Sequence, residues 1–156
     1  MIIRPALPQD AKAMADLLNT IIAIGGTTAH QTPKTADTVR HDYIDGPNSI
    51  TCVVAEDAGQ ILGWQSICWD HGDPHIGSFV DPHTQAKGIG AQLFAETLKL
   101  SRAAGLTEIF ATIRADNVPG LAYYARQGFT DIASEPDFAL KTGEVVGRVH
   151  RKLTLR

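Results

Sequence analysis

The sequence predicts an α+β fold in which helices flank a single mixed sheet. Two observations lead to this prediction. The hydrophobic pattern changes from a helical to a strand-like period after the turn signal at residues 45–48. The strands that follow are joined first as a meander and then in strand–helix–strand order, which is typical of α+β or α/β proteins. With 156 residues, 44% hydrophobic and 20% charged, we expect residues 1–156 to form one globular domain.

The first elements are a strand and a helix whose bounds follow from local signals. Residues 2–6 are predicted to form an edge strand, because Pro5 limits its pairing. A helix begins near Asp10, which can cap it, and ends at Gly25-Gly26. The predicted core face of this helix consists of Met14, Leu17, Leu18, Ile21 and Ile22.

The remaining elements alternate between strands and helices. Residues 57–59 join two strands as a β-hairpin, and residues 70–74 are predicted to form a loop. The elements in chain order are a short helix from Thr35 or Asp37 through Tyr43, strands at 50–56, 60–69 and 75–81, a helix at 88–104 with Ile89, Leu93, Leu100 and Ala104 on one face, a strand at 108–113, a helix at 117–126, and strands from Phe129 that end with 145–155.

The charge balance and the cysteines exclude several classes of function. Fourteen Lys and Arg residues against 17 Asp and Glu residues create no basic field for nucleic acid or an anionic membrane. No stretch of about 18 apolar residues and no signal-peptide pattern occurs, so we expect a cytoplasmic protein. Cys52 and Cys68 are expected to be buried thiols. His71 and His75 do not form a helical metal-binding pair because Gly72 and Pro74 separate them, and we expect no metal site.

Residues 80–90 form the most informative segment, which runs from a strand through a loop into a helix. Glycines at the mouth of a helix let the backbone approach a ligand closely, and the N–H groups from Lys87 to Ala91 point outward at the positive end of the helix dipole. This arrangement suits a diphosphate, to which Gln85 and Lys87 could add donors. The segment is neither a P-loop nor a complete dinucleotide fingerprint. An ordinary tight turn would also explain the two glycines.

Residues 117–129 form a second segment, in which a capped helix carries two adjacent tyrosines. Asn117 can cap the helix and Gly128 can end it, so structural demand alone would explain both residues. Because neighbouring residues on a helix point about 100° apart, we expect at most one of Tyr123 and Tyr124 to share the core face with Leu121. A tyrosine at such a position usually serves packing, with its hydroxyl at the rim.

Together these segments resemble the GNAT superfamily of N-acetyltransferases. Gln85-x-x-Gly88-x-Gly90 is similar to the acetyl-CoA-binding motif of that family, written Gln/Arg-x-x-Gly-x-Gly/Ala. Asn117, Tyr124 and Gly128-Phe129 are similar to its next motif. The opening at residues 3–11 and the strand exit Val80-Asp81-Pro82 also match, so the resemblance covers nearly the whole chain. Ala86, where many members carry glycine, and Gly120, expected to fray the first helical turn, depart from the pattern.

The resemblance implies a splayed, mostly antiparallel sheet and acetyl-CoA as cosubstrate. The cosubstrate arm would lie along the strand at Phe79-Val80, and Asn117 would contact it. A primary amine of a small molecule would attack the thioester directly, without a cysteine nucleophile, while a backbone N–H near Val80 stabilises the oxyanion. Tyr124, with a pKa of about 10 against that of a thiol near 8.5, would protonate the thiolate. The implied cosubstrate-binding residues are Phe79, Val80, Gln85, Ala86, Lys87, Gly88, Ile89, Gly90, Ala91, Asn117 and Tyr124.

The acceptor amine needs a base, and His75 is the first choice for a direct or water-relayed one. It is one of six candidates near the strand ends, Asp70, His71, Asp73, His75, Asp81 and His83, and a surface histidine is the alternative interpretation. Residues 25–34 and 69–75 are expected to select the acceptor, and their carboxylates and aromatics suit a small cationic amine. Residues 27–33 resemble phosphinothricin-type acetyltransferases, although the helix with Tyr123-Tyr124 lacks the histidine usual in that branch.

Two other functions and one assembly remain open from the sequence. The same fold could serve as a non-catalytic acyl-CoA sensor, or it could acetylate proteins or peptides. Tyr124 at the position of the acid favours catalysis over pure binding. The terminal strand at 145–155 could pair across a homodimer.

Overall fold

The computed structural model describes residues 1–28, 30–84 and 88–156. The strands are β1 (Ile2–Pro5), β2 (Ser49–Asp57), β3 (Gln60–Asp70), β4 (Asp73–Val80), β5 (Glu108–Arg114), β6 (Thr130–Glu135) and β7 (Arg148–Thr154). The helices are α1 (Ala11–Ile24), α2 (Ala36–Val39), α3 (Ile89–Ala103) and α4 (Val118–Arg126). A 3-10 turn at Pro8–Asp10 precedes α1, and a π-helical segment at Arg40–Asp45 follows α2.

The strands form one open seven-stranded sheet in the order β1-β2-β3-β4-β5-β7-β6. All neighbouring strands are antiparallel except β4 and β5, which are parallel. The predicted fold class, a mixed and mostly antiparallel sheet flanked by helices, is therefore confirmed. The edge position of β1 is confirmed as well.

The sheet is splayed between β4 and β5. Within the described residues these strands share one Cα pair, His75 with Phe110, whereas β3 and β4 pair along the whole of β4. Residues 76–80 consequently keep a backbone edge that no neighbouring strand of the described chain occupies. This opening positions the candidate site.

Helices cover the two faces of the sheet and bury separate clusters. On one face, α1 and α2 pack on β2, β3 and β4 through Met14, Leu18, Val39, Val54, Trp64 and Phe79. On the other face, α3 and α4 pack on β3, β4 and β5 through Ile67, Ile76, Phe94, Ile109, Ile113 and Tyr124. We call these the α1 face and the α3/α4 face. Within the described residues, no helix is long and apolar enough to span a membrane.

The predicted loop at residues 70–74 is wrong. Strand β3 continues to Asp70 and β4 starts at Asp73, opposite it. Only His71 and Gly72 form the turn, with φ of 51° and 85°. Two successive residues with positive φ match the right-handed twist of the flanking strands, so a two-residue turn suffices.

The predicted core face of α3 is partly wrong. Ile89 and Leu93 are buried, but Ala104 lies beyond the helix and is exposed. The helix instead buries Phe94, Thr97 and Ser101. A prediction from apolar residues alone misses Thr97 and Ser101.

The last strand starts later than predicted and occupies a different place. It spans Arg148–Thr154 rather than 145–155, because Val145 forms an isolated bridge with Ala139. Strand β7 lies between β5 and β6, so both of its edges are paired within the chain. The prediction that this strand pairs across a dimer is therefore wrong.

Two predicted helix starts differ in their outcome. Asp10 does not cap α1; its carboxylate accepts the Leu7 N–H at 2.7 Å and pairs with Arg4 at 2.8 Å. The Arg4 guanidinium thereby lowers the pKa of Asp10. Thr35 does cap the short helix α2, since its hydroxyl accepts the Thr38 N–H at 3.1 Å.

Candidate active site

A cleft of about 520 Å³ passes through the splay between β4 and β5. Its walls come from β4, β5, the end of α1 and the loop after it, and the starts of α3 and α4. The predicted site residues Phe79, Val80, Gly90, Asn117 and Tyr124 are among its lining residues. The structure thus brings the two sequence segments together at one opening. Gln85, Ala86 and Lys87 lie outside the described residues.

Tyr124 on α4 faces Ser78 on β4 across the opening. Their hydroxyl oxygens are 2.8 Å apart, and the Tyr124 residue is 8% exposed. Burial raises the pKa of Tyr124 above its ordinary value of 10.0, so the phenol stays protonated at neutral pH. The sequence did not predict Ser78, although a serine among the alternating apolar residues of a strand is a usable signal.

A chain of hydrogen bonds extends from Ser78 to the start of α3. Gln65 on β3 donates from Nε2 to Ser78 Oγ at 2.8 Å and to the Tyr123 hydroxyl at 3.0 Å. Tyr123 donates in turn to the Gly90 carbonyl at 2.8 Å. We call Tyr124, Ser78, Gln65, Tyr123 and Gly90 the hydroxyl network. It links both tyrosines to the opening.

The expectation that only one tyrosine shares the core face is wrong. Tyr123 and Tyr124 both pack on the cluster of the α3/α4 face, with ring centroids 5.0 Å apart and an edge-on arrangement. The start of α3 lies beside α4, so each ring has a surface to cover. Tyr123 was not predicted as a site residue.

The start of α3 needs its two glycines for different reasons. Gly88 has a φ of 81°, which side chains other than glycine rarely adopt. A Cβ on Gly90 would lie 2.8 Å from Tyr123 Cε1, so the glycine makes room for that ring. The first-turn N–H groups of Ile89, Gly90 and Ala91 lack intrahelical acceptors, as in any helix.

Asn117 caps α4 and also anchors the loop above the cleft. Its Oδ1 accepts the Gly120 N–H at 3.0 Å, and its Nδ2 donates to the Thr27 carbonyl at 2.9 Å. A Cβ on Gly120 would overlap the Asn117 amide. Gly120 therefore allows the cap to form, and the fraying expected at this glycine stays a prediction.

The loop after α1 closes the α1 face of the cleft. Thr27, Thr28 and His30 line the cleft, and Arg114 of β5 donates to the Thr28 carbonyl at 3.3 Å. His30 Nε2 lies 3.3 Å from the Tyr43 hydroxyl, and burial lowers the pKa of His30. The sequence did predict a role for residues 25–34, but it singled out neither His30 nor Arg114.

His75 lies where β4 and β5 pair, at the closed end of the splay. Its ring stacks on Phe110 with centroids 5.8 Å apart, and burial lowers its pKa. None of the six predicted base candidates is among the described residues that line the cleft, and neither is any residue of 69–75. Asp70 and Asp73 lie opposite each other at the far tip of the β3–β4 hairpin.

Thr112 of β5 lines the cleft on the α1 face and begins a polar chain that sequence reasoning missed. Thr112 Oγ1 lies 2.9 Å from His150 Nδ1 on β7. His150 Nε2 lies 2.5 Å from Glu135 Oε1 on β6. These residues are far apart in the sequence, and only the pairing of β5, β7 and β6 brings them together.

The two cysteines are free and lie in β2 and β3. Burial raises the pKa of Cys68 to about 11, and it raises the pKa of Cys52 further. Thiols of such high pKa are poor nucleophiles at neutral pH. Neither lines the described cleft.

A splayed sheet, a helix that starts after a glycine with positive φ and a buried tyrosine at the opening are the features that the resemblance to acetyl-CoA-using acyltransferases implies. The chain belongs to the acetyltransferase (GNAT) family, whose model matches residues 16–129. The resemblance seen in the sequence motifs is thereby confirmed. This family uses acetyl-CoA.

Individual relatives agree with this family. The chain is 26% identical over 151 residues to YwnH of Bacillus subtilis (strain 168), provisionally named a phosphinothricin acetyltransferase, and covers 93% of it. It is also 35% identical over 88 residues to a mycothiol acetyltransferase of Clavibacter michiganensis subsp. michiganensis (strain NCPPB 382). That match covers 55% of this chain and 29% of the mycothiol acetyltransferase.

Solved structures show the same fold. YncA of Salmonella typhimurium, which contains acetyl-CoA, has a TM-score of 0.82 at 21% identity, with 99% of this chain and 94% of that chain covered. A phosphinothricin acetyltransferase of Sinorhizobium meliloti in complex with acetyl-CoA has a TM-score of 0.84 at 18% identity, with 99% and 88% covered.

Proposed function

We propose that the chain transfers an acetyl group from acetyl-CoA to a primary amine of a small molecule, by direct attack within a ternary complex. The observation that carries this proposal is the buried Tyr124–Ser78 hydroxyl pair at the splay of a GNAT fold. A proton donor at the opening serves a leaving thiolate, whereas a protein that only binds acyl-CoA has no need of one.

The acetyl-CoA arm is assigned to the free edge of β4. An extended ligand can add to an unpaired strand edge through backbone hydrogen bonds, and residues Phe79 and Val80 lie on that edge. The diphosphate is assigned to the start of α3, on the N–H groups of Gly88, Ile89, Gly90 and Ala91, with Gln85, Ala86 and Lys87 completing the site as the motif implies. Asn117 would contact the arm with the Nδ2 hydrogen that does not bond Thr27.

The oxyanion donor is assigned to the Val80 N–H. Successive residues of a strand direct their backbone groups to opposite neighbours. The Asp81 N–H donates to the Leu62 carbonyl of β3 at 2.8 Å, so the N–H of Val80 points toward the open side. A preorganised N–H at this place stabilises the charge that develops on the thioester oxygen.

Tyr124 is assigned as the acid for the thiolate. Its raised pKa keeps the proton on the phenol until sulfur charge develops. Because that pKa lies well above the value near 8.5 of a thiol, Tyr124 stabilises the thiolate chiefly by donating a hydrogen bond, with proton transfer completed as the products separate. His75, the base expected from the sequence, is not among the described residues that line the cleft, and it could reach the amine only through a water molecule.

The acceptor is assigned as an amine that also carries an anionic group. Arg114 and Arg126 are the charged side chains among the described lining residues besides the titratable His30, and no carboxylate lies among them. Three of the five N–H groups of Arg114 bond Asp116 and the Thr28 carbonyl, which leaves two for a ligand. The expected preference for a cationic amine loses its support, since Asp70 and Asp73 lie away from the cleft.

The test is an acetyl-CoA-dependent screen of CoA release with L-phosphinothricin, amino acids, polyamines, aminoglycosides and peptides. We expect turnover with an amino acid or its analogue. Tyr124→Phe should lower kcat about 100-fold while acetyl-CoA binding, measured by calorimetry, is retained. Tyr123→Phe is the matched control, because the Tyr123 hydroxyl donates its proton to the Gly90 carbonyl and has none to give to a thiolate, and the variant should keep most of the activity. Binding of acetyl-CoA without turnover on any amine would support a sensor instead.

Location and assembly are secondary parts of the proposal. A cytoplasmic location is supported by the two free cysteines, which suit a reducing compartment. A homodimer would have to form without β7, whose edges are both paired. Sedimentation analysis of the purified chain tests the assembly directly.

A further inference from the structure

Three side chains form a hydrogen-bonded row on the α1 face of the sheet, and the proposed reaction so far gives them no role. Thr112, His150 and Glu135 lie on the adjacent strands β5, β7 and β6, and Thr112 stands opposite His150 in the register. The two contacts, 2.9 Å and 2.5 Å, are both within hydrogen-bond distance. A continuous hydrogen-bonded chain therefore connects a hydroxyl in the cleft to a carboxylate at the edge of the sheet.

The chain runs from the cleft to solvent. Thr112 lines the cleft, the His150 side chain is 25% exposed, and the Glu135 side chain is 45% exposed. Glu135 therefore contacts bulk solvent at the end of the chain that lies away from the cleft. Such a gradient of exposure is what a proton-conducting path requires.

The charges on this face decide which nitrogen of His150 holds the proton. Hydrogen bonds from His150 and Arg148 lower the pKa of Glu135, so it is a carboxylate at neutral pH. A carboxylate can only accept, and the His150 Nε2 therefore donates to it. The Nδ1 atom of a neutral ring is then free to accept the Thr112 hydroxyl proton. Among the described residues, the titratable or charged side chains of β4, β5, β6 and β7 on this face around His150 include His75, Glu108, Arg114, Glu135, Arg148 and Lys152.

We propose that Thr112, His150 and Glu135 form the proton relay that deprotonates the acceptor amine, an inference that rests on the proposed acetyl transfer. Thr112 is the catalytic residue that touches the amine, and His150 and Glu135 are positioning residues that act through it. An ammonium group with a pKa near 10.4 is neutral only about once in 2,500 at pH 7, so the reaction gains from a path that removes its proton.

The relay completes the proton balance of the reaction. An N–H bond of the ammonium breaks and an O–H bond forms at Thr112, while the original Thr112 proton forms an N–H bond at His150 Nδ1. The nitrogen lone pair then forms the C–N bond to the acetyl carbon as the C–S bond breaks. The second proton lost by nitrogen replaces the one that Tyr124 gives to sulfur. The imidazolium, paired with Glu135, returns its proton to solvent.

The kinetic test compares Thr112→Val, which removes only the hydroxyl, with Thr112→Ser, which restores it. CoA release is followed from acetyl-CoA with L-phosphinothricin, or with whichever amine of the panel the wild-type protein acetylates faster. We expect Thr112→Val to lower kcat about 100-fold at pH 7, and the deficit to shrink as the pH approaches the pKa of the amine. Thr112→Ser should follow the wild-type pH profile. A Thr112→Val deficit that is equal at every pH, or absent, would overturn the relay and leave acetyl transfer intact.

Two measurements that need no turnover keep the tests separate. Nitrogen-15 NMR of histidine-labelled protein should find the His150 proton on Nε2, and Glu135→Gln should shift that resonance; a proton on Nδ1 would contradict the relay. Mass spectrometry after incubation with acetyl-CoA alone should show an unmodified Thr112, and an acetyl ester there would make it a nucleophile instead. If the wild-type protein releases no CoA with any amine, the proposed function fails and the relay fails with it.

Discussion

The two sides of the cleft present hydroxyl groups in opposite environments. On the α3/α4 face, Ser78 and Tyr124 belong to the hydroxyl network, which contains the fully buried Gln65 and has no charged member. On the α1 face, Thr112 leads through His150 to a carboxylate that is exposed to solvent. The strands β4 and β5 that carry Ser78 and Thr112 diverge from one pairing point, so the two hydroxyls sit across one opening.

The difference matches what the two halves of an acetyl transfer require. The donor half must hold a proton until a thiolate appears, and burial does this by raising the pKa of Tyr124. The acceptor half must dispose of a proton, which favours a polar path to water. A splayed sheet separates these needs, since alternate residues of each strand face opposite sides.

The largest expected contrast comes from removing one hydroxyl on each side. Ser78→Ala leaves the Tyr124 hydroxyl and one Gln65 N–H without a partner in a buried place, which should cost about 1–3 kcal/mol of unfolding free energy. Thr112→Val should cost less than about 0.5 kcal/mol, because His150 can bond water. Urea unfolding of both variants measures the difference, and equal losses would remove the distinction between the two sides.

A smaller loss is expected from Gly90→Ala. The added methyl group would meet the Tyr123 ring, and overpacking costs about 1–3 kcal/mol, here toward the low end because the ring is half-buried and can shift. The apparent Kd for acetyl-CoA should rise, since the start of α3 moves with the ring. Repeating the change in a Tyr123→Ala background gives a double-mutant cycle. Additive losses in that cycle would show that the ring is not the reason for the glycine.

The residues proposed for the donor side could be placed from the sequence because they lie in short continuous motifs. Gly88 and Gly90 mark the start of a helix, and Asn117 and Tyr124 share the next one, so local spacing alone places them. The fold class could be predicted for the same reason, because the hydrophobic periods of strands and helices and the turn residues are local signals. The sequence did not reveal that Gly90 also makes room for the Tyr123 ring, because that ring comes from another helix.

The residues proposed for the acceptor side could not be predicted, because their arrangement depends on contacts between distant parts of the chain. Thr112 and His150 are 38 residues apart and meet only through the β5–β7 register. A threonine in a strand carries no local sign that it faces a cleft. His75 was chosen for its place near a strand end, yet the pairing of β4 with β5 at that residue puts its ring against Phe110. Register sets which strand positions face the opening, and no local pattern specifies it.

A loss of stability of about the same size as that for Gly90→Ala is expected from Asn117→Ala, because Asn117 connects helix α4 to the loop after α1. Asn117→Ala removes the helix cap and the bond to the Thr27 carbonyl, and should cost about 1 kcal/mol. Because the loop beside the cleft loses an anchor and the proposed contact with the acetyl-CoA arm is lost, KM should rise for both the acceptor and acetyl-CoA. Asn117→Asp is the control, since it keeps the cap but cannot donate to Thr27. A rise in acceptor KM for Asn117→Ala alone would assign the effect to the cap instead of the loop.

The smallest expected difference is in how the two sides respond to pH. Burial lowers the pKa of His30 below 6.5, so the unfolded chain binds the proton more readily and stability falls as the pH drops below about 6.5. Burial raises the pKa of Tyr124 above 10, so stability falls as the pH rises past about 10. His30→Gln should remove only part of the loss of stability at acid pH, because the pKa of His75 is lowered as well. Tyr124→Phe should remove only part of the loss at alkaline pH, because the pKa of Tyr43 is raised as well. Urea midpoints measured across pH test both predictions. An effect of His30→Gln at alkaline pH, or of Tyr124→Phe at acid pH, would mean that the two sides of the cleft do not titrate independently.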